Sequence, residues 1–175
     1  MPDARNALLE RIIEEVAVNG LADRSLREIA DAVGSSHRML LYHFESRAGL
    51  VSAIVERVES NQRDALMTLS AETNDPAELI RLLWAQVSAS ELRPFVRLFY
   101  ECVALTGGEG LTDPWLQTGT DVAESISAGI DADLLRLGVA VTRGLLIDTL
   151  GSGDAKPATR SLERFIELLE ARPSH

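Results

Sequence analysis

Residues 25–44, SLREIADAVGSSHRMLLYHF, constrain this chain more than any other stretch. Ser25 and Glu28 stand three apart, the spacing of a capping box that opens a helix. Leu26, Ile29, Ala30 and Val33 follow at i, i+3, i+4 and i+7, so one face of that helix is apolar. Gly34 stops it, and a second helix runs from near Ser36 to His43 with Leu40 and Phe44 as its inward residues. Two helices this short cannot bury their apolar faces on each other alone, so the rest of the chain must supply more helix.

It does. Asp3 can cap a helix with the stripe Leu8, Leu9, Ile12, Ile13 and Val16, closed by Gly20. Ser46 can cap a long fourth helix whose stripe runs Val51, Ile54, Val55, Val58, Gln62, Ala65, Leu66 and Leu69. Asp75 and Pro76 start a fifth, with Ile80, Leu83, Trp84 and Val87. A sixth carries Phe95, Leu98, Phe99, Cys102 and Val103 and stops at Gly107 and Gly108. Asp113 and Pro114 repeat the cap-proline start, with Gly129 as the stop. Asp131 opens a helix from about 132 to 150 that Gly151 and Gly153 terminate, and the last covers roughly 157 to 171. The expectation is an all-α fold of about nine helices.

Composition narrows the function. Hydrophobic residues are 46% and charged residues 25%, as in a soluble globular protein, and every apolar segment is broken by charge, so no membrane partner is expected. The charged N-terminus lacks the regions of a signal peptide, so a cytoplasmic location is expected. The net charge of -10 argues against nucleic acid until its distribution is read. Residues 1–50 hold 6 Arg against 8 Asp and Glu, so the acidity sits mostly in the remainder. Lys156 is the single lysine, so the cations are guanidinium, which suits planar, bidentate recognition.

Two short helices joined by a glycine turn form a helix-turn-helix when the second keeps a polar outward face at its start. That face offers Ser35, Ser36, His37 and Arg38, with Tyr42 one turn on. Arg38 can donate two parallel hydrogen bonds to guanine in the major groove, His37 can reach a base edge or a phosphate, and the serines suit phosphates. Ser46 and Arg47 offer free amides and a positive charge at the next helix start. Ser25, Arg27 and His43 complete the candidate DNA contacts.

At these residues the chain resembles the TetR family of bacterial transcriptional regulators. The resemblance rests on SLREIADAVGSSHRMLLYHFESRAGL: the capped second helix, the turn from Ala30 to Gly34, the aromatic YHF, then Ser-Arg before the fourth helix. Met39, Leu41 and Arg47 stand where the family more often has a small residue, tyrosine and lysine. RGLLIDTLGSGD is similar to a segment of actinobacterial members. The resemblance implies an N-terminal DNA-binding domain, 1–46, and a C-terminal helical ligand-binding and dimerisation domain, 47–175. It also implies a homodimeric repressor on double-stranded DNA with a palindromic operator, released by a small-molecule effector.

The helix of residues 132–150 is apolar nearly all round and needs a second buried face. Its own chain could wrap it. The favoured reading pairs it and the last helix with a second copy as a four-helix bundle, through Leu134, Gly138, Val141, Leu145, Leu162, Phe165, Ile166 and Leu169. Five of the eight aromatics lie between residues 84 and 115. Trp84, Phe95, Phe99, Tyr100 and Trp115 read either as ordinary core or, with Gln62 and Arg143, as the lining of an effector pocket. Catalysis finds no assembled set: two of the three histidines sit in the second short helix, His175 is terminal, and no nucleotide, hydrolase or metalloprotease motif is present. Cys102 has no partner for a disulfide or a metal, and neither metal nor cofactor is expected. The competing reading is a helical dimer that binds a ligand or a protein and no longer binds DNA.

Overall fold

The computed structural model describes residues 4–108, 111–126 and 129–171. Its elements are α1 (Ala4–Asn19), α2 (Leu26–Ala32), α3 (His37–Phe44), α4 (Arg47–Ser70), α5 (Pro76–Val87), a 3-10 turn (Ser90–Leu92), α6 (Arg93–Thr106), α7 (Asp113–Ser125), α8 (Ala132–Ser152) and α9 (Ala155–Glu170). Among the described residues there is no strand, as the helical spacing requires.

Most helix boundaries follow from side chains that satisfy the orphan amides of a first turn. Ser36 accepts from Met39 N at 3.2 Å, Ser46 from Gly49 N at 3.0 Å, Asp75 from Ala77 N at 2.9 Å and Asp131 from Leu134 N at 2.7 Å. Asp3, the expected cap of α1, lies outside the described residues. Two helix starts differ from expectation. At α7 the cap position is Thr112, with no side-chain hydrogen bond, and Asp113 is already helical; its carboxylate complements the positive helix end without capping it. At α9 the cap is Asp154, which accepts from Lys156 N at 2.9 Å, so Pro157 lies inside the first turn, where its missing N–H is no loss. α7 ends at Ser125, before Gly129. Gly151 stays within α8, and Gly153 ends it in the left-handed conformation, φ +75.

The chain packs as two compact units, Met1–Asn61 with Arg93–Glu109, and Gln62–Leu92 with Gly110–His175. In the first, α1 buries Leu8, Leu9, Ile12, Ile13, Val16 and Ala17 and packs against α2 and α6. Ile29 and Ala30 of α2, Leu40 and Phe44 of α3, and Leu50, Val51 and Ile54 of α4 are buried with them. In the second, Leu66, Leu79 and Val122 form a cluster joined by Leu69, Leu83, Trp115 and Ile126, and α8 packs against α7 and α9.

Candidate nucleic-acid interface

The start of α2 is the capping box that the sequence requires. Ser25 Oγ accepts from Glu28 N at 3.3 Å, while the Glu28 carboxylate accepts from Ser25 N at 2.8 Å and from Ser25 Oγ at 2.6 Å. The Ser25 hydroxyl, then the Ser25 amide and then the Arg24 charge hold the Glu28 carboxyl below its ordinary value against slight desolvation. Ser25 is thereby committed to the helix start. Gly34 takes φ +64 in the turn, a backbone conformation open to glycine at little cost, and the Ser35 amide donates to Ala30 O at 2.9 Å.

α3 presents the polar face. His37, Arg38 and Ser36 are exposed, Ser35 is half-buried, and Tyr42 is 77% exposed with the half-buried His43 ring packed edge-on against it. Met39 and Leu41 are exposed apolar residues on the same short helix. The end of α3 is pinned by contacts that the sequence does not announce. Arg5 donates from Nε to His43 O at 3.3 Å and stacks its guanidinium 5.3 Å from the centre of the Phe44 ring. Glu45 adopts φ +65 to leave the helix, and α4 then turns back so closely that a Cβ on Gly49 would stand 2.1 Å from Phe44 O. Only glycine fits there.

Arginine use in this unit is uneven. Arg11 donates to Val33 O at 3.2 Å, and Arg24 pairs with Glu15 at 3.0 Å. Arg47, expected at a phosphate, donates from Nη2 to Leu21 O and Ala22 O at 2.9 and 2.8 Å and from Nε to Arg24 O at 3.3 Å. Arg27 on α2 and Arg38 on α3 are exposed and make no ion pair among the described residues. Four of the six guanidinium groups before residue 50 thus build the unit, and two face solvent.

No family model and no curated protein matches the chain. Among solved structures, a Rhodococcus sp. protein assigned to the TetR family of transcriptional regulators superposes with a TM-score of 0.53 at 23% identity. That match covers 96% of this chain and 98% of the other. A second protein, from Rhodococcus sp. RHA1 and assigned as a transcriptional regulator, gives 0.60 at 19% identity over 97% of this chain and 94% of its own. The chain has the TetR fold.

Within the TetR fold of this chain, the residues expected to line a pocket fall in both units. Phe95, Phe99 and Tyr100 belong to the first, where Phe99 is buried and meets the Tyr100 ring edge-on at 5.2 Å. Gln62, Trp84, Trp115 and Arg143 belong to the second. Trp84 is buried and donates from its indole N–H to Thr159 Oγ1 at 2.8 Å, tying α5 to α9. Trp115 packs on the Leu66, Leu79 and Val122 cluster, and Gln62 is half-buried. Arg143 donates to Leu111 O at 3.1 Å and to Thr112 Oγ1 at 3.5 Å, so it braces the segment that enters α7.

Of the residues expected at a dimer interface, Leu162 and Ile166 are each buried to 1% exposure within the chain. Leu134, Gly138, Val141, Leu145, Phe165 and Leu169 are half-buried. The most open apolar side chains of this pair of helices are Leu137, Ile147 and Leu168, and Ala140 and Gly144 share the exposed side of α8. Among the described residues no group of three His, Cys, Asp or Glu could hold a metal ion, and no helix is long and apolar enough to cross a membrane.

Proposed function

We propose that this chain is a DNA-binding transcriptional regulator that works as a homodimer, a repressor that leaves a palindromic operator when a small molecule binds. The observation that carries the reading is the outward face of α3. His37, Arg38 and Tyr42 stand exposed on a helix capped at its start and pinned at its end, while neighbouring arginines are spent on holding it there. A guanidinium fixed on a rigid helix is what bidentate reading of guanine needs. Arg27 and the Ser35 and Ser36 hydroxyls lie near enough in sequence to serve phosphates beside it.

The fold shared with the two Rhodococcus proteins supports the same reading. The homodimer accounts for α8, whose Leu137 and Ile147 are 46% and 54% exposed although the helix is apolar nearly all round. Two copies joined through α8 and the Leu168 side of α9 would place two reading helices under one two-fold axis. Residues 1–46 would then read DNA, and residues 47–175 would hold the effector and the partner.

Selection of bound sequences from random oligonucleotides tests the proposal. Two reading helices on one face of DNA require half-sites about 34–36 Å apart or a multiple of it, so an inverted repeat is expected. An unenriched pool, from protein shown to be folded and dimeric, would refute DNA reading by α3.

A further inference from the structure

The turn between α1 and α2 closes with one backbone hydrogen bond of its own, Arg24 N donating to Leu21 O at 3.2 Å, and its backbone groups are also held from two sides. The Arg47 guanidinium donates to three carbonyls of the turn, Leu21 O, Ala22 O and Arg24 O. The Glu101 carboxylate, on α6, takes the Leu21 amide at 3.2 Å. Leu21 itself is fully buried. Glu101 and Arg47 also lie close enough to act on the buried Cys102 thiol with opposite sign. The turn is therefore clamped between an acid from α6 and a base from the start of α4, and α2 leaves it at Ser25, immediately after Arg24.

We infer that Glu101 and Arg47 are positioning residues for operator binding: they fix the α1–α2 turn and through it the placement of α2 and α3. The inference rests on the DNA-binding reading above. The physical basis is a population. If the turn opens, only a fraction of molecules carries the reading helix in its binding position, and the apparent dissociation constant rises by the reciprocal of that fraction. A buried amide left without its charged acceptor favours opening. Glutamine in place of Glu101 keeps a carbonyl oxygen at the same reach and removes the charge, so it retains the hydrogen bond to the Leu21 amide. Arg47 acts as a clamp: its Nε and Nη2 donors are on carbonyls of the turn, and only Nη1 is left for a further acceptor, which the salt dependence of binding tests.

The test uses the full-length protein and the selected operator, with hydrogen exchange at the Leu21 amide as a readout that needs no DNA. Glu101→Ala should weaken operator binding about tenfold, a loss comparable to one charge-assisted hydrogen bond, and speed Leu21 exchange. Glu101→Gln should restore both to within about twofold. Arg47→Ala should weaken binding with a salt dependence parallel to the parent, whereas loss of a phosphate contact would make the slope shallower by about one ion. Arg81→Ala, which breaks the Arg81–Glu163 pair of the second unit at 3.0 Å, should leave operator affinity unchanged. Parental affinity in Glu101→Ala, no rescue by Glu101→Gln, or a shallower slope in Arg47→Ala would each overturn the inference. A parent that binds no DNA but protects Leu21 would sink the DNA reading and leave the clamp standing; an unprotected Leu21 amide would sink the clamp.

Discussion

α1 and α8 are both long helices rich in aliphatic residues, and they end up differently. α1 has an apolar stripe and a polar remainder, and the chain covers the stripe with six buried residues in 16. α8 is apolar nearly all round, yet over 21 residues only Leu146 and Thr149 are buried, and Leu137 and Ile147 stay about half exposed. One chain is enough to finish an amphipathic helix. A helix without a polar face needs something on its other side, and the difference between the two is the argument for a second copy at α8.

The largest effect expected from this comparison is on assembly. Ile147→Glu would place a charge in the proposed interface twice per dimer, at about 3 kcal/mol per copy, and should yield monomers by analytical ultracentrifugation at concentrations where the parent is dimeric. If α8 were merely a solvated helix, the same change would alter stability by no more than about 0.5 kcal/mol and leave the mass unchanged. Next comes the rigidity of the first unit. Gly49→Ala forces the Phe44 carbonyl away from a Cβ that would otherwise stand 2.1 Å from it, and should cost about 3 kcal/mol or more in urea denaturation, beyond ordinary overpacking. A neutral Gly49→Ala would mean that the α3–α4 junction is looser than its geometry.

Much of this architecture is legible in the sequence, because it is local. The Ser25–Glu28 box, the caps at Ser36, Ser46, Asp75 and Asp131 and the left-handed Gly20 and Gly34 all act within a few residues of themselves. What is not legible acts over distance. Nothing near Arg47 in the chain says that its acceptors are carbonyls 23 to 26 residues upstream, and a cation at a helix start reads naturally as a phosphate contact. Glu101 and the Leu21 amide are 80 residues apart. The need for glycine at 49 arises only once Glu45 has turned the chain back on α3. At α9 the helix begins at Ala155, two residues before the expected 157, because Asp154 caps it and Pro157 is tolerated inside the first turn. Closeness in sequence does not say which unit an aromatic joins: α6 packs with α1 in the first unit, while Trp84 and Trp115 belong to the second.

Two smaller effects sharpen the contrast between a finished and an unfinished region. Burial, and secondarily Glu101, push the Cys102 thiol up to about 12, against the pull of Arg47. A raised thiol value means that stability from this site is complete below the ordinary thiol range and declines as pH rises from there toward 12. Cys102 should therefore resist iodoacetamide at pH 8 in the native protein and react promptly in urea; fast native alkylation would show that the first unit opens readily. The smallest effect is at Glu28, whose depressed carboxyl stabilises the start of α2 above the ordinary carboxylate range and stops doing so as pH falls through its lowered value. Glu28→Ala should flatten the acid limb of the stability profile slightly, and an unchanged limb would remove the capping box from the account.

The central claim is that α3 reads DNA through Arg38, and one measurement meets it directly: parallel selection of bound oligonucleotides by the parent and by Arg38→Ala. The account predicts an inverted repeat for the parent. It predicts for the variant the same repeat with the preference erased at one base pair in each half-site, and an affinity lower by about 1–3 kcal/mol. An Arg38→Ala protein that selects the parental motif unchanged, at parental affinity, would contradict it.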